Sequence, residues 1–190
     1  MWETLLELDH EFFNLINSSS LAQYKQFWIT ATAIETWTPL YLLFFYLLYK
    51  KHSTPFNIIA MVSTAALAAC TLLLTNLTKN NVQRLRPNND PLLLDTINIL
   101  QEPHNYSFWS GHAAVSFAVT VFVLLLLYNR DDKKWYLLFF IWPVIFAFSR
   151  IVTGVHFPSD VTVGAAVGIS LGVLAYRLLW VVKQRLPHQA

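Results

Sequence analysis

Three polar clusters interrupt an otherwise apolar chain, and their residue types suit the handling of a phosphate. The first is Lys79-Asn80-Asn81-Val82-Gln83-Arg84-Leu85-Arg86-Pro87. The second is Trp109-Ser110-Gly111-His112. The third is Ser149-Arg150, five residues, His156, three residues and Asp160. Lys79 and Arg86 are seven residues apart, about two helical turns, so they can share a face. Pro87 disfavours helix at Arg86 and lets the chain turn away. Arg150 supplies a third cation. Three cations meeting at one point repel one another and make sense around an anion, and arginine suits bidentate contact with phosphate oxygens. A helix starting near Ser110-Gly111 would aim its first backbone N–H groups at the same place, a ready phosphate site. Gly111 removes side-chain bulk there.

The two histidines complete a reaction. Phosphoryl transfer needs a nucleophile, an acid for the leaving oxygen and a frame for the charge. Pro158 is a natural first residue of a helix, which puts Asp160 in the first turn. From there Asp160 can accept a hydrogen bond from one nitrogen of His156, fix its tautomer and leave the other nitrogen free to attack phosphorus.

Other readings of these residues are weaker. Each cluster alone has a plain structural explanation: a membrane-edge anchor, a helix cap, a surface pair. Two histidines and a carboxylate are possible zinc ligands, but three nearby cations would repel a divalent ion and already supply its charge. A serine hydrolase built on Ser110 lacks a Gly-x-Ser-x-Gly elbow. A protein that only binds or moves anionic lipids would use the same cations but has no use for His156 with Asp160.

The elements that must carry these clusters are membrane helices. Charged residues are 13% of the 190 and hydrophobic residues 55%, against about 25% charged in a soluble domain. That composition excludes disorder, and the single Cys70 excludes a disulfide scaffold. A net charge of +2 with no long basic run argues against nucleic acid. Five stretches have the length of a spanning helix: about Phe27–Leu48, Phe56–Leu77, Trp109–Tyr128, Trp135–Ile151 with a kink expected at Pro143, and Val161–Val182. Trp2–Ile16 alternates Leu, Phe and Ile with Glu3, Glu7, Asp9 and Glu11 at helical spacing, an amphipathic helix lying on the membrane. The expected fold is therefore all-α, a polytopic bundle of about five transmembrane helices behind an interfacial helix. It forms one domain over 1–190, with 1–24 the amphipathic segment and 25–190 the bundle. Gly164, Gly168 and Gly172 step by four and should pack inside that bundle.

Lys and Arg set the orientation. Lys50, Lys51, Arg130, Lys133, Lys134, Lys183 and Arg185 fall on one side; Lys25, Lys79, Arg84, Arg86 and Arg150 fall on the other. The more basic side is expected in the cytoplasm, which puts the polar clusters on the outer face of a plasma membrane. Arg84 reads as solvent-facing, and His104 and Tyr106 read as loop residues. Glu35, a carboxylate inside the first span, is a candidate for function or for packing.

The motifs resemble those of the type 2 phosphatidic acid phosphatase family, within the acid phosphatase and vanadium haloperoxidase superfamily. That family carries Lys-x6-Arg-Pro, Pro-Ser-Gly-His and Ser-Arg-x5-His-x3-Asp. The first is complete here as Lys79 to Arg86-Pro87, and the third as Ser149-Arg150, His156 and Asp160. The second has Trp109 in place of Pro, then Ser110-Gly111-His112. The resemblance implies phosphate binding by Lys79, Arg86, Arg150, Ser110 and the Gly111 N–H. It implies His156 as the nucleophile of a phosphohistidine, Asp160 as its orienter and His112 as the proton donor that later activates water. It implies no metal or other cofactor, and a substrate in the bilayer: undecaprenyl pyrophosphate, phosphatidylglycerol phosphate, phosphatidic acid or the phosphates of lipid A, in a bacterial plasma membrane. A phosphotransferase of the same chemistry is the alternative enzyme. Oligomeric state is not set by these residues.

Overall fold

The computed structural model describes residues 2–51, 56–94, 96–128 and 135–185, and all regular structure among them is helical. In order these are α1 (Trp2–Asn17), α2 (Lys25–Thr32), α3 (Thr38–Lys51), α4 (Phe56–Val82), α5 (Gly111–Leu127), α6 (Ile141–Val152) and α7 (Pro158–Arg185), with short 3-10 turns between several of them. Arg130, Lys133 and Lys134, three of the expected cytoplasmic anchors, lie outside the described residues.

The bundle is organised around α5. Its apolar residues are spread round every face, interrupted by His112, Ser116 and Thr120, as suits a helix enclosed by others. It packs along α7 most extensively, then α4 and α6. The glycine stripe makes the α5–α7 contact possible. A Cβ on Gly168 would stand 2.3 Å from the Ala114 carbonyl oxygen, and one on Gly164 would stand 2.6 Å from that of Ser110. The stripe therefore serves packing inside the bundle, with backbone against backbone.

By length and composition, α4, α7 and the segment Trp135–Val152 can each cross a membrane, while α5 is shorter. The first expected span departs from a continuous helix. It is broken after Thr32 and bent by 70° between Lys25–Thr32 and Ile34–Lys51. Ala33 is extended (φ −76°, ψ 129°), and Pro39 belongs to the first turn of α3, where its missing N–H costs nothing. The carbonyls at the break are satisfied: Thr30 accepts from the Ala33 N–H at 3.2 Å and from the Thr36 hydroxyl at 2.7 Å, and Ala31 accepts from the Trp37 indole at 2.9 Å. Satisfied backbone is the condition for a break at membrane depth. Glu35 sits in this break and is exposed, not enclosed midway along a helix.

Pro143 also behaves differently from expectation. Trp135–Phe140 is 3-10 and α6 starts only at Ile141, so Pro143 occupies a first turn. Its ring would clash with the carbonyl four residues back in a continuous α-helix, and the change of helix type falls there.

α1 presents three faces. Asp9, Phe13 and Asn17 are buried against the protein; Leu5, Leu8, Phe12 and Leu15 are exposed and apolar; Glu3, Glu7 and Glu11 take the remaining side. The inner face is anchored at its end. Asn17 donates to the carbonyls of Asn98 (3.0 Å) and Val152 (3.1 Å) and accepts from the Asn98 N–H (2.7 Å). The amphipathic helix is thus docked on the loop after α4 and on the end of α6, and is more than a membrane-surface appendage.

Candidate active site

The C-terminal ends of α4 and α6 and the N-terminal starts of α5 and α7 meet at one end of the bundle, and each brings one motif. Lys79 belongs to the last turn of α4, Arg150 to the last turn of α6, and Gly111-His112 open α5. His156 lies in the link from α6 to α7, and Asp160 in the first turn of α7. Pro158 is the first residue of α7, as its fixed φ favours. Asp160 Oδ2 accepts from the Phe157 N–H at 3.0 Å, the back-reaching half of a capping box. The same carboxylate thus caps the helix and faces His156.

Lys79, Arg86, Gly111, His112, Arg150 and His156 line one cavity of about 600 Å³. The cations there are buried and held by neutral groups. Lys79 Nζ donates to the Tyr106 and Ser107 carbonyls at 2.8 and 3.2 Å. Arg86 donates from Nε to the Asn105 carbonyl and from Nη2 to its side-chain oxygen, both at 2.7 Å, and from Nη1 to the Val155 carbonyl at 2.8 Å. Arg150 Nη1 donates to the Thr32 hydroxyl and to Gln101 Oε1. Arg150 Nε has no hydrogen-bond partner among the described residues. Among the described residues, no carboxylate lies within ion-pair distance of Lys79, Arg86 or Arg150. Buried charges are normally paired, so this cavity is built to receive an anion.

His156 is 2% exposed, and its two nitrogens meet opposite environments. Nε2 lies 3.1 Å from Arg86 Nη1. A guanidinium can only donate, so Nε2 presents its lone pair and the ring proton sits on Nδ1. Nδ1 is 3.4 Å from Asp160 Oδ2 and 3.2 Å from the Ser107 hydroxyl. Burial, and then the charges of Arg86, Lys79, Arg150 and Arg84, hold the imidazole well below its usual pKa. It is a neutral, oriented base whose lone pair points to the cations.

His112 packs its ring on Phe146 with 4.6 Å between centroids. The Thr32 hydroxyl that accepts from Arg150 stands where the first span breaks. Ser110 is the N-cap of α5: its hydroxyl accepts from the Ala113 N–H at 3.4 Å, and its own N–H donates to the Asp160 carbonyl at 3.0 Å. It lies under the cavity wall and ties the starts of α5 and α7 together. Trp109 turns its indole toward α4 and donates to Thr75, a cavity-lining residue, at 2.9 Å.

Several partners escaped the sequence. Arg84, read as solvent-facing, donates from Nη1 to Asp160 Oδ1 at 2.8 Å and from Nη2 to Asp9 Oδ2 at 2.6 Å. Ser107 donates a short hydrogen bond to Asp160. Tyr106 uses its carbonyl on Lys79, while His104 is exposed. Ser107, Asn105 and Gln101 come from a loop without periodicity, so no spacing could have revealed them. Asp9 had one signal: it is the acid of α1 that falls on the helix side of Phe13.

Comparison with known proteins agrees with the geometry. A lipid A 4'-phosphatase of Porphyromonas gingivalis is 26% identical over 96% of this chain and 78% of its own length. One from Bacteroides thetaiotaomicron is 28% identical over 93% and 79%. An undecaprenyl-diphosphatase of Sulfolobus acidocaldarius is 27% identical over 88% and 77%. Among solved structures, LpxE of Aquifex aeolicus shares the fold with a TM-score of 0.65 at 24% identity, covering 90% of this chain and 95% of that one. A transmembrane PAP2-type phosphatidylglycerolphosphate phosphatase of Bacillus subtilis does so with a TM-score of 0.61 at 21% identity, covering 99% and 89%. The model of the PAP2 superfamily matches residues 57–184, which contain all three polar clusters, and the chain belongs to that superfamily.

Proposed function

We propose that this protein is a metal-independent lipid phosphatase that transfers a phosphoryl group to His156 and then to water at the outer face of the membrane. The observation that carries this reading is the uncompensated cation cluster of Lys79, Arg86 and Arg150 around the lone pair of His156 Nε2.

In the first step the phosphate oxygens sit among the three cations and the start of α5. The Nε2 lone pair attacks phosphorus, and the bond from phosphorus to the lipid oxygen breaks. His112 gives that oxygen a proton. Asp160 stays on the Nδ1–H side and offsets the positive charge that develops on the ring. In the second step His112 takes a proton from water, the water oxygen attacks phosphorus, and the bond to Nε2 breaks to release phosphate. The cations act on charge that spreads over the equatorial oxygens, the task a metal otherwise performs. Asp160 spends its oxygens on Arg84, Ser107 and the Phe157 N–H, which leaves it a poor metal ligand.

A lipid substrate is supported by the remainder of the cavity. Beyond the cations it runs between α3, α4, α5 and α6 past Phe44, Leu72, Val115, Trp142 and Phe146, an apolar path that suits a chain attached to a phosphate. The names of the relatives make lipid A phosphate the first substrate to test and undecaprenyl pyrophosphate the second, followed by phosphatidylglycerol phosphate and phosphatidic acid. The experiment is free-phosphate release by the purified full chain across these four lipids. Release from at least one, lost in His156→Ala while lipid binding persists, is expected. No release from any of them, or full release by His156→Ala, overturns the reading.

A further inference from the structure

The reaction above has no role for α1, yet α1 packs against the segment that carries Asp160. Asp9 is buried, and its carboxylate accepts from Arg84 Nη2 at 2.6 Å, from the Ser159 N–H at 2.8 Å and from the Ser159 hydroxyl. Arg84 spends its other terminal nitrogen on Ser159 Oγ at 2.7 Å and on Asp160 Oδ1 at 2.8 Å. Its guanidinium lies 4.2 Å over the Phe157 ring. His10 stacks on the same ring at 4.9 Å, and Phe13 meets it edge-on at 5.5 Å. Residues 157–160, which aim Asp160 at His156, are therefore gripped by α1 directly and through Arg84. A bidentate guanidinium between two carboxylates transmits position as well as charge.

We propose that Asp9 and Arg84 are positioning residues for the reaction: α1, through Asp9, holds Arg84, and Arg84 holds the Asp160 carboxylate in register with His156 Nδ1. The inference rests on His156 being the nucleophile. The outer partners of a catalytic pair act by orienting it. Here that partner is an N-terminal helix outside residues 57–184.

His156 faces Lys79 from α4, Arg84 and Arg86 from the loop after α4, His112 from α5, Arg150 from α6 and Asp160 from α7; Asp9 of α1 faces it only through Arg84. Removing the Arg84 charge strengthens the hold of His156 on a proton. In Arg84→Gln the acid limb of kcat/KM against pH should move to higher pH, whereas Arg84→Lys, which keeps the charge, should leave it in place. Asp9→Asn should lower kcat roughly tenfold, as for loss of one charged hydrogen bond. Added to Arg84→Gln, or to Arg84→Lys if the glutamine variant does not fold, it should cost clearly less than it does alone, because its hold on Asp160 passes through Arg84 while its bonds to Ser159 remain.

The measurement is phosphate release from lipid A in detergent micelles by the full chain. An unmoved limb in Arg84→Gln, or a full repeat of the Asp9→Asn loss in an Arg84 variant, overturns the proposal. Undiminished release by His156→Ala overturns the nucleophile instead, which keeps the two failures apart.

Discussion

His156 stands among four cations and must keep its lone pair. Its lowered proton affinity resolves that demand, because the ring stays neutral where an ordinary histidine would be protonated. Two outcomes follow at this scale. The acid limb of kcat/KM should lie clearly below pH 6.5, the ordinary histidine value; a limb at or above 6.5 would contradict the burial argument. Stability carries the same sign. The folded ring binds its proton more weakly than the unfolded one, so its contribution is complete above about pH 6.5 and is lost as pH falls toward the folded value. Arg86 offers a sharper test. It uses Nε and both terminal nitrogens on Asn105, Val155 and His156, and lysine can reproduce only one such contact. Arg86→Lys should lower kcat by about 10² to 10³, the range for one transition-state donor, with KM for the lipid changed much less. Spacing together with the family resemblance singles out Lys79, Arg86, His112, Arg150, His156 and Asp160 as the candidates. What Arg84, Ser107 and Asp9 do could not be read from it, because their partners are far away in the chain.

At the scale of elements, two devices position the site. One is the backbone contact of α5 with α7. Gly168→Val would drive a side chain into the Ala114 carbonyl 2.3 Å away, and overpacking of this kind costs about 1–3 kcal/mol or more. Thermal unfolding in detergent should show a lowered midpoint, and activity should fall with it because α5 and α7 carry His112 and Asp160. The other device is the break after Thr32. Thr36→Val removes the hydroxyl donor to the Thr30 carbonyl, which keeps the Ala33 N–H, and should cost about 0.5–1.5 kcal/mol, the net worth of one hydrogen bond. Because Thr32 holds Arg150, kcat should fall as well, measured on folded protein. Hydropathy reported an apolar run there and nothing of the bend. A break is decided by which side chains can reach the freed carbonyls.

For the whole molecule, the four helix ends that carry the motifs lie together, with Lys50, Lys51 and Lys183 at the other ends of α3 and α7. A reporter fused after Ala190 should read cytoplasmic if the site faces outward; a periplasmic signal would reverse the topology. Prolonged EDTA treatment should leave phosphate release unchanged, and loss restored by zinc would return metal to the mechanism.

The sequence by itself determined the class of molecule and the chemical parts. Scarce charge leaves each charged residue interpretable, and the helical and loop spacings of Lys79–Arg86 and Arg150–His156–Asp160 are local geometry. Only the tertiary structure decided what surrounds those parts. It gave Asp160 to Arg84 and Ser107, tied Ser110 to the Asp160 carbonyl, turned Trp109 onto Thr75, gave Thr32 to Arg150 and joined α1 to the site through Asp9. Each of these depends on a hydrogen bond or a close contact between segments far apart in the chain, and such pairings follow from packing in three dimensions, which no local period encodes.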